Sequence, residues 1–361
     1  MLFWTLSGLT LLLTVLTFLP LWRYEAWWVR GGDFPRLQFA IAALALLAIA
    51  ALVLDLSRPG SWAVIAASLV CLLYQSWWIL PYTPLYPKEV KGAAHADRDN
   101  TLRIMAANVM TPNRNASALL AIVEANRPSV LVAVETDEWW QAQLDVLERD
   151  YPHALKCPQD NLYGMHLYSR LPLEDGEIQF LVEDGTPSIH TVVILRSGCR
   201  ARLHVLHPAP PGPTENDESS ERDAELIIVG KSVAKSELPV VVTGDLNDVA
   251  WSATTRLFRK ISGLLDPRVG RMMCNTFHAR YPFFRWPLDH LFHSHHFTLS
   301  RLQRLPAFGS DHFPILIELA FEPSCGKQQE GLDADADDHA WAEEKAAAEN
   351  ADEGDVHTPG R

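Results

Sequence analysis

The stretch VVVTGDLNDVAWS, residues 240–252, decides how this chain is read. An apolar run enters Gly244, and Asp245 and Asn247 follow two positions apart. Strands disfavour Asp and Asn, whereas Gly, Asp and Asn are common turn formers. A simple turn is therefore the plainest reading of these residues alone, and the rest of the chain has to decide between a turn and a site.

Outward from this stretch, strand-like and helix-like segments alternate. TLRIMAANV predicts a strand from Thr101, and NASALLAIVEANR predicts a helix with Leu119, Ile122 and Val123 on one face. SVLVAVE is a continuous apolar run ending on Glu135, and a helix is expected through DEWWQAQLDVLERD. Four short strands follow in YGMHLYS, GEIQFL, SIHTVVIL and RLHVLH, then a helix in DESSERDAELIIVGKSVAKS. After the opening strand, Ser252 is placed to cap a helix through SATTRLF. PLDHLF, FTLSRLQ and HFPILIEL close the series as strands. Runs of strands interrupted by pairs of helices imply two packed sheets with helices outside. The expected fold class is α/β, a four-layer α/β/β/α sandwich over residues 101–321.

Three apolar stretches precede it, at 2–22, 37–56 and 62–81. Each is long enough for a hydrocarbon core of about 30 Å. Trp22, Trp27, Trp28, Trp77 and Trp78 lie near their ends, where interfacial aromatics belong. The first stretch lacks a basic start and an A-x-A-like cleavage site, so three transmembrane helices are expected rather than a signal peptide. Arg23, Arg30, Arg36, Lys88 and Lys91 fall on one side and only Arg58 on the other. Positive-inside counting then puts the C-terminal domain on the cytoplasmic side of a bacterial-type inner membrane. Residues 82–100, with Pro84 and Pro87 close behind Pro81, are expected to be a linker.

Of the net charge of −13, −9 falls in residues 322–361, which leaves −4 for the remainder. The tail is expected to be disordered and solvated. The nearly neutral remainder lacks the basic footprint of a nucleic-acid binder. Five cysteines are scattered without C-x-x-C spacing, which permits disulfides without requiring them. His290, His293, His295 and His296 match no standard zinc spacing.

At the ends of the expected strands lie Asn108, Glu135, His207, Asp245, Asn247, Asp289, Asp311 and His312. Each has a plain structural reading as a cap, a turn or a packed histidine. Taken as a set, carboxylates and an amide carbonyl are hard donors for Mg²⁺ or Mn²⁺. The histidines and a further aspartate could do acid–base work, and phosphate-ester hydrolysis uses that combination.

The stretches MAANVM, VLVAVE, YGMHLYSRLPL, HVLHPAPP, VVTGDLNDVAWS, PLDHLF and GSDHFPILIEL occur in an order that resembles the endonuclease/exonuclease/phosphatase (deoxyribonuclease I-like) superfamily. The resemblance implies a metal held by Glu135, with Asn108 and Asp311 beside it. It implies that Asp245 positions or deprotonates the attacking water, that Asn247 holds phosphate, and that His207 serves as acid or phosphate donor. Asp289 is expected to orient His312. Asp245 and Asn247 are expected on one strand face, one pleat period apart. GDLN stands where GDFN is more usual, and Tyr163 and His166 lie near where some members place a phosphate-contacting tyrosine.

The expected protein is a membrane-anchored, divalent-metal-dependent phosphoesterase, its substrate a phosphodiester or monoester that could be lipid-linked. The alternatives are a nuclease, which the charge does not favour, and an inactive scaffold of the same fold.

Overall fold

The computed structural model describes residues 1–94, 97–326 and 328–360. Among the described residues, eleven strands form two sheets. The first holds β1 (Thr101–Asn108), β2 (Val130–Val134), β3 (His153–Cys157), β4 (Met165–Ser169), β10 (Phe297–Arg304) and β11 (Ile315–Phe321), in the order β10-β11-β1-β2-β4-β3. The second runs β5-β6-β7-β8-β9, with β5 (Leu173–Gln179), β6 (Ser188–Ile194), β7 (Arg200–Val205), β8 (Val240–Asp245) and β9 (Asp289–His293). β3 was not expected from the sequence. Its HALKC pattern is half-buried throughout and carries neither a clean alternation nor a continuous apolar run.

Side-chain parity builds the layers. Leu102, Ile104 and Ala106 of β1, Val130, Val132 and Val134 of β2, Val241 of β8 and Leu291 of β9 fill the seam between the sheets. The alternate residues Met105, Ala107, Leu131 and Ala133 face outward onto α5 (Ala116–Asn126) and α6 (Glu138–Leu144). Val240, Val242 and Phe292 face the other way, onto α7 (Ser220–Ala234) and α8 (Ala253–Ser262). Ser252 caps α8 through Thr255 N. These layers make the four-layer α/β/β/α sandwich.

The N-terminal region contributes α1 (Leu2–Phe18), the short α2 (Trp27–Arg30), α3 (Arg36–Val53) and α4 (Pro59–Ile79). Three segments, Leu2–Leu21, Arg36–Val53 and Pro59–Tyr82, are long and apolar enough to cross a membrane. Leu11, Leu12, Ile41, Leu52, Leu73 and Trp77 are exposed on them, as suits helices apolar on every side. Where they meet, small residues allow close approach: Ala43, Ala50, Ser68 and Cys71 are fully buried.

Two expectations are corrected. Within residues 82–100, expected as a linker, the stretch 82–90 is docked on the domain: Tyr82 Oη donates to Ala250 O, Glu89 pairs with Arg259, and Val90 is fully buried. The acidic tail is ordered as well. After a short turn α9 (Pro323–Gly326), α10 (Ala336–Ala348) is capped reciprocally by Asp335 and Asp338. Its apolar face consists of Ala342, Ala346 and Trp341, too small a set to register as a hydrophobic stripe, and it packs on α7 and α8. Lys345 of α10 is buried against Asp223 of α7 and Glu25.

Candidate active site

Strand direction gathers the site. β1 and β2 are parallel, as are β7 and β8, so the C-terminal ends of both pairs lie at one rim. β11 runs antiparallel to β1, and β9 antiparallel to β8, so their N-terminal ends return to that rim. Asn108 therefore ends β1, Glu135 follows β2, His207 follows β7, Asp245 ends β8, Asp289 begins β9, and Asp311 and His312 precede β11. Asn108 continues the parity of Ile104 and Ala106, and Asp245 that of Val241, so both turn into the seam.

There the polar groups form a row. Asn108 Nδ2 donates to Glu135 Oε1 at 2.6 Å and to Asp245 Oδ2 at 3.0 Å. His312 Nε2 lies 3.5 Å from Asp245 Oδ2, and His312 Nδ1 lies 2.8 Å from Asp289 Oδ2. Ser310 ties the row to the backbone: its Oγ donates to Asn108 O and accepts from His312 N. The Phe277 ring covers His312 at 4.9 Å. Sequence reading missed Ser310 and Phe277, although Ser310 adjoins the DH pair.

The electrostatics follow from burial and charge. Burial alone would lower the His312 pKa, but Asp289 and Asp245 outweigh it and push it up to about 10. Burial would raise Asp245, yet His312 and His207 beside it, with the Asn108 hydrogen bond, hold it low. Burial raises Glu135 to about 7, against the Asn108 hydrogen bond, and Asp245 and Asp311 add to the rise. His207 is lowered by burial to about 4, and its Nδ1 has no hydrogen-bond partner among the described residues.

The structure separates Asn247 from the strand face it was expected to share with Asp245. β8 stops at Asp245, and Asn247 has φ +51°, in the left-handed region. Asp245 Oδ1 accepts from Asn247 N at 3.0 Å, so the pair forms a tight Asx turn. The pleat argument fails because the chain has left the sheet. Asn247 Nδ2 donates to Pro208 O, beside His207, and Arg222 of α7 holds Asn247 O at 2.9 Å. Sequence reading also missed Arg222, for which only the buried Asp248 in GDLND offered a signal: it lies 3.8 Å from Arg222.

Tyr163 comes near, its ring 5.5 Å from His207 and its hydroxyl on Glu215. His166 does not, because its β4 neighbours Met165 and Leu167 fill the seam and it points to the opposite face. The four histidines near β9 take separate partners: His290 bonds Arg268 and Asp248, His293 the Ser294 carbonyl, and His295 stacks on His296.

Asp245, Asp289 and His312 bring one donor atom each within 4.8 Å of one another. Within this group His312 is hydrogen-bonded to Asp289 and faces Asp245 at ion-pair distance, while Asp245 also accepts from Asn108 and from Asn247 N. Glu135 and Asp311 offer hard carboxylate oxygens beside the row, where burial chiefly, and the Asp245 and Asp311 charges in addition, raise the Glu135 carboxyl. Asn108 turns its amide nitrogen to Glu135 and its oxygen to Met110 N, so it would join a cation by reversing that amide. That donor chemistry fits a divalent cation.

A profile of the endonuclease/exonuclease/phosphatase family matches residues 105–312. The chain belongs to that family. Among solved structures, TDP2 from D. rerio complexed with a single-strand DNA product is similar, at TM-score 0.52 and 18% identity, over 61% of this chain and 99% of that one. The catalytic domain of human Nocturnin with bound sulfate gives TM-score 0.52 and 16% identity, over 63% and 96%. An endonuclease/exonuclease/phosphatase from Beutenbergia cavernae gives TM-score 0.50 and 17% identity, over 62% and 72%. No curated protein matches.

Proposed function

We propose that this chain is a membrane-anchored, divalent-metal-dependent hydrolase of lipid-linked phosphate esters, phosphodiesters or monoesters. Glu135, with Asn108 and Asp311, would hold Mg²⁺ or Mn²⁺, which supplies charge neutralisation to a phosphate oxygen. Asp245, kept ionised by its neighbours, aligns the attacking water and takes its proton. His312, oriented and charge-compensated by Asp289, binds phosphate or delivers a proton. His207, with its free Nδ1, and Asn247 contact the phosphate from the other side. The fold and membership of the family support a phosphoesterase in general.

The lipid-linked part rests on one observation. The rings of His312, Phe277, Trp286 and Phe34 follow one another at 4.9, 6.1 and 5.6 Å. Phe34 lies two residues before the helix that begins at Arg36, so the row opens close to where a bilayer surface would lie. Gln38, in the first turn of that helix, donates to Phe283 O, and Phe283 is 83% exposed. An apolar cavity of about 380 Å³ lies between Trp27, Phe34, Pro211, Phe284 and Trp286, and can take an acyl or isoprenoid chain. The loops lining it carry His207 at one end and Asp289 at the other. We place the domain on the cytoplasmic side on the Lys/Arg bias. Alkaline phosphatase fused after Ala94 would be inactive there, and strong activity would reverse the orientation.

The test is kcat/KM of the full chain in nanodiscs, with Mg²⁺ or with EDTA. Long-chain and short-chain phosphodiesters of the same leaving group are compared with plasmid DNA. Metal-dependent preference for the long chain is expected. Equal rates on both chain lengths would remove the lipid specificity, and cleavage of DNA alone would establish the second reading, a nuclease. Arg280 and Arg285, in the loop beside Phe277, are the residues that favour that reading.

A further inference from the structure

A second cavity lies away from the catalytic row, where the membrane-facing helices end against the catalytic domain. It measures about 290 Å³. On one side it is lined by Pro20 and Leu21, just past α1, and by Tyr74 and Trp78 in the last turns of α4. On the other side stand residues of α8 and α10.

Its charge is unbalanced. Five cations line it: Arg23, Arg30, Arg36, Arg256 and Lys260. Two carboxylates oppose them. Asp33 is shared between Arg30 and Arg36, and Asp338 is taken by Lys260. Among the described residues, Arg23 and Arg256 have no carboxylate within ion-pair distance and rest on the rings of Trp341 and Trp78. Arg30 and Arg36 are 5% and 1% exposed, and the Nε of each is buried without a hydrogen-bond partner among the described residues. Buried guanidinium N–H groups without acceptors are costly. Burial also lowers the Arg256 pKa, a strain that an anion would relieve.

We propose that this cavity binds the phosphate headgroup of an anionic phospholipid, which bridges the membrane helices to α8 and α10. Guanidinium forks match phosphate oxygens geometrically, and tyrosine and tryptophan belong at the headgroup level. The phosphate would supply the missing acceptors while its chains follow α1 and α4 into the bilayer. The proposal rests on reading residues 1–82 as membrane-spanning, but not on the chemistry proposed for the catalytic row.

The test uses the full chain in a neutral detergent, offered phosphatidylglycerol or phosphatidylcholine, with retained lipid read by native mass spectrometry. The variants are Arg256→Gln, Arg23→Gln with Arg256→Gln, and Arg149→Gln as a distant charge-matched control; circular dichroism checks each fold. The wild type and control should retain one phosphatidylglycerol and no phosphatidylcholine. The double variant should bind at least about tenfold more weakly, the scale of one lost charged hydrogen bond, and the single variant should fall between. Equal retention of both lipids, or retention unchanged in the double variant, overturns the proposal. Displacement of phosphatidylglycerol by equimolar inorganic phosphate would also overturn it, reassigning the site to a soluble anion. A chain that stays soluble without detergent would instead refute the membrane reading beneath it.

Discussion

Lys345 Nζ lies 2.6 Å from Asp223 Oδ2, with both side chains buried, so a helix from the acidic tail is pinned to α7 by one ammonium group. Glu25 takes the same ammonium at 2.7 Å, so the pin also reaches the segment after α1. Asp223 is held well below the usual carboxylate range: burial would raise it, but Lys345 and then Arg222 overcome that.

Lys345→Met keeps the side-chain length and removes the charge, leaving Asp223 with Arg222 as its cation and with the Ser219 and Thr254 hydroxyls. Breaking one partner of a buried pair costs about 3–5 kcal/mol, and the surviving guanidinium places this case near the lower end. The expected result is a fall in Tm of roughly 6–12 °C for a domain of this size, measured in detergent. An unchanged Tm would mean that α10 contributes nothing to the stability of the sandwich.

Glu225 of α7 gives a pH prediction. Burial, with Glu183 adding, raises its carboxyl to about 8, and Oε1 has no partner. The folded protein therefore holds a proton that the unfolded chain releases at lower pH. Stability from this group is fully present below the unfolded value near 4.5 and is lost as pH rises through about 8. The linkage is on the order of 3–5 kcal/mol. Glu225→Gln should flatten the fall in Tm between mildly acid and mildly alkaline buffer. Parallel profiles for the two proteins would disprove the assignment.

Asp289 and His312 should act as one unit. Asp289→Asn leaves the imidazole in place without its compensating charge, and a loss of about 10²–10³ in kcat/KM is expected. Combined with His312→Ala it should be scarcely slower than His312→Ala alone, because residues acting together are lost together. A double mutant showing the full product of both losses would mean that the two act independently.

Much of this was legible in the sequence, for a physical reason. The apolar runs ending on polar residues, such as VLVAVE and VVVTGD, put the strands in place, and the side-chain period of two makes the position of Asn108 on β1 follow from Ile104 and Ala106. Asn247 was misplaced because a positive φ leaves no mark in residue spacing when the residue is asparagine, which tolerates either conformation. Arg222 was invisible because its partners Asn247 and Asp248 lie 25 or more residues away. The tail misled because its charge dominates its composition, while its few apolar contacts, from Trp341, Ala342, Ala346 and Val356, are sparse and its acidic residues find partners such as Lys260 and Lys235 far away in the chain.

Glu135→Gln keeps side-chain volume and removes the charge a hard cation needs. Calorimetric Mg²⁺ affinity should drop by at least about tenfold, with activity falling alongside and the circular dichroism spectrum unchanged. Full Mg²⁺ affinity in the variant would move the ligand elsewhere.

The polar row also changes sheets as it runs. Glu135 and Asn108 hang from the six-stranded sheet, Asp245 from the five-stranded one, His312 from the approach to β11 in the first, and Asp289 from β9 in the second. Three of its four links, Asn108 to Asp245, Asp245 to His312 and His312 to Asp289, are stitches across the seam. A slip of one sheet along the other would open all three together. Neither sheet alone holds the whole row, so its geometry exists only where the two halves are in register.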